Sequence, residues 1–155
     1  MEYQLLLWVH ILSSTVLFGT GLGTAFHGWM AQRSGDLHAI VVVSRNVVLA
    51  DWLFTTPAVI IQPVTGAWMA RLAGFPFTTG WLALALGFYV LVGACWLPVV
   101  WLQIQMHRMA NTALRTSKPL DRRYYIYASW WFVLGWPAFF GVIAIFYLMV
   151  FKPEL

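Results

Sequence analysis

A chain of 155 residues that is 61% hydrophobic, 17% aromatic and 9% charged, with a mean hydropathy of +0.76, falls outside the balance of a water-soluble domain. Its net charge of +4 is carried mainly by loop residues, so it reports membrane topology and anionic lipid and excludes a nucleic-acid role. The single cysteine, Cys95, excludes an intrachain disulfide and a CxxC metal or redox motif.

Roughly 20 apolar residues are needed per crossing, which predicts four helices, about 4–30, 47–71, 80–107 and 126–151. The expected fold is all-α, a four-helix transmembrane bundle in a single domain. The first segment reads as a transmembrane helix and not a signal peptide. Its apolar core is too long, its early charge is the acidic Glu2, and no small-residue cleavage site is apparent.

Helix one contains "WVHILSSTVLFGTGLGTAFH", residues 8–27. At 100° per residue, Ser14, Leu17, Gly21 and Thr24 lie within about 40° of the direction of His10, so the histidine heads a stripe of small and polar residues. Gly19 and Gly23 form a GxxxG on roughly the opposite side, suited to a neighbouring helix or to a second copy of the chain. Packing on both faces would turn His10 into the bundle. With residue 17 near the midplane, His10 lies about 10 Å toward the outside. Gly66, Ala85, Gly87 and Ile145 fall at similar depth, leaving room for something flat. One reading makes His10 an axial ligand of haem b, with Ser14, Gly66 and Gly87 around the cofactor. The other is a neutral histidine bonded to Ser14 or to a free carbonyl.

The stretch "LHAIVVVSRNVVLA" before Asp51 either extends helix two or lies along the interface. Asp51 falls about 12 Å from the midplane if residue 59 marks the centre. A carboxylate there is expected to pair with a cation, Arg45 or Arg108, or to take up a proton; an acid interacting with the helix macrodipole is the bland alternative. Pro57, Pro63, Pro98 and Pro137 interrupt helices two to four, and their freed carbonyls need partners. Gln62 and Gln103 can bond other helices. The short loop "LAGFPFTTG" makes helices two and three antiparallel neighbours.

His27 and His107 end parallel helices on the same side and form a candidate pair for a second haem or a metal. Both lie roughly 15 Å or more from the midplane, where an interfacial histidine needs no further explanation; His38, in the loop, is a weaker candidate. Seven of the nine basic residues, Arg33, Arg45, Arg108, Arg115, Lys118, Arg122 and Arg123, lie in or beside the first and third loops. The positive-inside rule then places both termini outside. Tryptophans are expected in two belts, with Trp8, Trp68 and Trp81 outer, and Trp29, Trp52, Trp101, Trp130 and Trp131 inner.

The strings "VVLADWLFTTPAVIIQPVTG", "GWLALALGFYVLVGACWLPVVWLQIQ" and "GWPAFFGVIAIFYLMVFKP" resemble an uncharacterised family of small bacterial integral membrane proteins with four predicted helices. More distantly, the layout is similar to the small membrane protoporphyrinogen oxidases, which hold haem b. The shared features are His10-Ile11, Gly66-Ala67-Trp68, Trp81-Leu82 and Lys152-Pro153. That resemblance implies His10 as the haem ligand. It departs at Ala85, where that family carries a lysine, which places porphyrinogen oxidation in doubt.

The expectation is a b-type haem protein of the bacterial inner membrane, active in electron transfer or as an oxidoreductase. With almost no mass outside the membrane, its redox partner would be a quinone, a porphyrin or another protein. Two further classes stay open: a cofactor-free small permease with Asp51 on a polar path, and a structural subunit using the Gly19/Gly23 face.

Overall fold

Without water to bond the backbone, a spanning chain must satisfy its amides within helices. The computed structural model describes residues 1–154 and consists of four helices: α1 (Glu2–Ser34), α2 (Leu37–Leu72), α3 (Gly80–Thr116) and α4 (Arg122–Phe151). No strand is present among the described residues. All four helices are long and apolar enough to cross a membrane, and the fold is an all-α transmembrane bundle.

The helices run beyond the expected spans, mostly at the end that carries the basic residues. α3 has 37 residues, about 55 Å of helix against a hydrocarbon core of about 30 Å. Local chemistry fixes the ends. Gly35 closes α1 in the left-handed region with φ 67°, as a residue without Cβ readily does. Asp36 caps α2 by accepting from the His38 amide at 2.9 Å, and Asp121 caps α4 by accepting from the Arg123 amide at 2.8 Å. The stretch before Asp51 is therefore the first part of α2.

α2 is not uniform. Residues Asp51–Thr55 form a π-helical turn, in which the Thr56 amide reaches back five residues to the Asp51 carbonyl. Pro57 follows at once. It has no amide to donate, and its ring crowds the carbonyl four residues earlier, so a widened turn relieves the contact.

Two packed layers close the ends of the bundle. At the basic end, Ala31, Ile40, Val99, Leu102, Met106, Ala110, Tyr124 and Trp131 draw on all four helices. At the end bearing the termini, Ala70, Trp81, Leu82, Ala85 and Leu148 join α2, α3 and α4. α1 is absent from this second layer and leans on α2. Between the layers, Phe18 of α1 stacks on Phe139 of α4 with ring centres 5.6 Å apart, and meets Phe146 at 5.5 Å.

Large apolar side chains such as Ile60, Val90, Leu97 and Phe140 are exposed on the outer surface, as a lipid-facing surface requires. Gly19 and Gly23 belong to it: a Cβ at either would meet nothing within 4 Å. The expectation that α1 is packed on both faces is corrected, since the glycine face meets no other helix of the chain.

α3 and α4 approach closely at Gly141, where an added Cβ would stand 2.6 Å from Cγ2 of Val92. Gly141→Ala must displace the Val92 side chain or part the two helices, and should lower stability by about 1–3 kcal/mol. Gly93→Ala, with nothing within 4 Å of the new carbon, should be neutral or slightly stabilising. Thermal melts of the two variants in detergent check the contrast.

Candidate functional site

The polar side chains inside the spans gather at two levels. The first joins α1 to α2 near the terminal end. Nδ1 of His10 lies 2.8 Å from Oγ1 of Thr65. The Thr65 hydroxyl donates to the Ile61 carbonyl four residues earlier, at 2.7 Å, as helical threonines do. With that hydroxyl's one proton on the Ile61 carbonyl, the matching tautomer is the one in which Nδ1 donates to Thr65 and Nε2 keeps its lone pair. Nε2 has no hydrogen-bond partner among the described residues and is not sealed from its surroundings.

The helix backbone beneath the ring is also held. The Gln62 amide nitrogen donates to the His10 carbonyl at 2.7 Å and to Ser13 Oγ at 2.6 Å. Gly66 lets the ring lie against α2, for an added Cβ would stand 3.3 Å from Cε1 of His10. A histidine fixed through one nitrogen with the other free has the donor chemistry of a metal ligand.

Other expected members of this site are placed elsewhere. The Ser14 hydroxyl turns back to the Ile11 carbonyl at 2.8 Å, so the histidine's partner is Thr65 and not Ser14. Gly87 is exposed with nothing within 4 Å of an added Cβ. Two residues on, the Tyr89 hydroxyl donates to the Val59 carbonyl of α2. A two-residue step reverses direction on a helix to within about 20°, so Gly87 faces away from α2 and from His10.

The second level lies deeper, at the π turn. Asp51 is 5% exposed. Thr55 donates to its Oδ1 at 2.8 Å. Gln103, its amide oriented to satisfy both ends, donates to Oδ2 at 2.6 Å and accepts from Nε1 of Trp131 at 3.2 Å. The expected ion pair with Arg45 or Arg108 is not formed. Arg45 is exposed six residues earlier, about 120° round the helix, and Arg108 is exposed five residues past Gln103, about 140° round. Two neutral donors satisfy the carboxylate in place of a cation.

Asp51, Thr55, Gln103 and Trp131 border a cavity of about 330 Å³ lined by residues of α1, α2, α3 and α4. Leu17, Gly21 and Thr24, the lower part of the histidine's stripe, line it; His10 does not. The room expected beside the imidazole is thus found several turns deeper. Trp131, expected in the inner belt, is buried in the bundle at 8% exposure.

The remaining histidines are apart from both levels. Nδ1 of His107 lies 3.0 Å from Ser44 Oγ and ties α3 to α2, while His27 is exposed on α1 beside Phe26. No group of three or more His, Cys, Asp or Glu side chains able to hold a metal occurs among the described residues. Sequence reasoning missed Thr65, Thr55 and Trp131. The first two left a signal: Thr65 precedes the glycine set opposite His10, and Thr55 stands one turn after Asp51.

A family model described as "Predicted integral membrane protein (DUF2269)" matches residues 4–153. No curated protein and no solved structure matches the chain.

Gln103→Leu removes one donor from a buried carboxylate and should lower stability by about 1–3 kcal/mol. Adding Asp51→Leu to the same chain should recover part of that loss, because the polar group left unpaired is then also removed. Thermal unfolding of the single and double variants measures the coupling.

Proposed function

We propose, from the premise that the chain belongs to the DUF2269 family of predicted integral membrane proteins, that it is a b-type haem protein of the membrane with His10 as an axial ligand, acting in electron transfer or a redox reaction. The observation that carries this reading is the imidazole itself, bonded through Nδ1 to Thr65 with Nε2 unpartnered. Haem, when bound, supplies one-electron chemistry at a potential set by its axial ligand, hydrogen bonding and burial.

The chain's own residues have separate parts. Thr65 fixes the tautomer and orientation of the ring and makes it a more basic ligand. Gln62 and Ser13 stop α1 from turning the imidazole away, and Gly66 leaves the ring its place against α2. The ordered short motifs shared with the small membrane protoporphyrinogen oxidases support the same ligand. Ala85, at that family's lysine position, is 2% exposed among Trp81, Leu82 and Leu148, and the reading accordingly stops short of porphyrinogen oxidation. A quinone, a porphyrin or another protein is the proposed electron partner. The clustering of seven basic residues near the first and third loops supports both termini outside in a bacterial inner membrane.

A dithionite-reduced minus oxidised visible spectrum of protein purified from haem-replete cells should show a b-type Soret and α band. His10→Ala should lose it and His27→Ala should keep it. Thr65→Val should retain less haem or shift its potential, and Thr65→Ser should restore the wild-type values. A featureless wild-type spectrum overturns the proposal.

A further inference from the structure

The haem reading makes no use of the cavity at the π turn. Its wall holds one ionisable group, Asp51; no lysine, arginine, histidine or second acid lines it among the described residues. The aromatic rings of Phe18, Trp96, Trp131, Phe132, Trp136 and Phe139 supply much of the rest. Three lining residues, Leu22, Phe132 and Trp136, are 50%, 45% and 49% exposed. They stand on the outer faces of spanning helices, so the mouth opens sideways into hydrocarbon. A molecule entering there must dissolve in lipid.

The polar end selects further. Thr55 and Gln103 each donate a hydrogen bond to one carboxylate oxygen, and the Gln103 oxygen accepts from Trp131. The Thr55 hydroxyl and one Gln103 N–H are committed, the second Gln103 N–H is left over, and each carboxylate oxygen retains a lone pair. Ionised, Asp51 offers an occupant acceptor capacity and negative charge. Beside an ionised Asp51 a carbonyl or ether finds only the second Gln103 N–H and no opposite charge. A protonated amine finds lone pairs, an opposite charge, and aromatic faces that attract a cation.

We propose that this cavity binds a small lipid-soluble amine as its ammonium form, with the charged nitrogen on Asp51 and the apolar body among the tryptophan and phenylalanine rings. A volume of about 330 Å³ is at the small end of ligand pockets, which suits one aromatic ring on a short chain. The site stands on Asp51 and the cavity alone and is independent of haem.

The test is equilibrium dialysis of the full chain in detergent against radiolabelled 4-phenylbutylamine and its neutral counterpart 4-phenylbutanol at pH 7. Saturable binding of one amine per chain is expected, at least about ten-fold tighter than the alcohol. Asp51→Asn should weaken the amine by about ten-fold or more and leave the alcohol within about two-fold. Gly135 lines the cavity and has open space at its Cβ position, so Gly135→Leu should fill the cavity and abolish both. If Asp51→Asn does not fold, Gly135→Leu decides. Non-saturable uptake, equal affinity for amine and alcohol, or undiminished amine binding in either folded variant overturns the proposal. Because the readout is amine binding and not absorbance, a failure of the haem reading leaves it untouched.

Discussion

In hydrocarbon an unbonded hydroxyl, amide or carboxylate costs several kcal/mol, and no water is at hand to relieve it. That constraint places the polar side chains of the spans. No buried side-chain nitrogen or oxygen lacks a partner among the described residues, and the bonds that achieve this are also what join the helices. His10 with Thr65 and Gln62 with Ser13 hold α1 to α2, Tyr89 with the Val59 carbonyl holds α3 to α2, and Gln103 links Asp51 to Trp131 of α4. Apolar packing distinguishes these helices from lipid only weakly, so the polar contacts fix which helix meets which, and at what height.

The π turn in α2 gives this network its shape. At 100° per residue Asp51, Thr55, Ala58, Gln62 and Thr65 would all point within about 40° of Asp51, toward one neighbour. The structure divides them: Asp51 meets Gln103 of α3, while Gln62 and Thr65 meet Ser13 and His10 of α1. One extra residue in a turn rotates everything after it by about a quarter turn. A single proline-associated irregularity thus lets one stripe of polar residues serve two helices and holds the Asp51 and His10 levels apart.

Between the levels stands the aromatic contact of Phe18 with Phe139 and Phe146. Phe18 and Phe139 wall the cavity, and on α1 Phe18 lies eight residues, about 12 Å, below His10. The two polar levels therefore have different surroundings: the histidine rests on glycine against a single neighbouring helix, and the carboxylate lies inside the bundle beside an aromatic chamber. They suit different ligands, and neither level relies on a side chain of the other.

The sequence by itself determined the membrane class, the four helices and their alternation, because hydropathy, loop charge and short connections act locally along the chain. It also set Gly66 opposite His10, since depth follows from counting residues along antiparallel helices, and it picked out Gln62 and Gln103 as bonds between helices. Only the tertiary structure decided that Asp51 takes Thr55 and Gln103 in place of Arg45, that Gly87 faces away from the histidine, and that the cavity borders the carboxylate. Each of those depends on the rotation of a helix about its own axis relative to its neighbours. That rotation is set by the π turn and by hydrogen bonds across more than 50 residues of sequence, such as His10 to Thr65, which span 55, and a periodic pattern carries no signal of either.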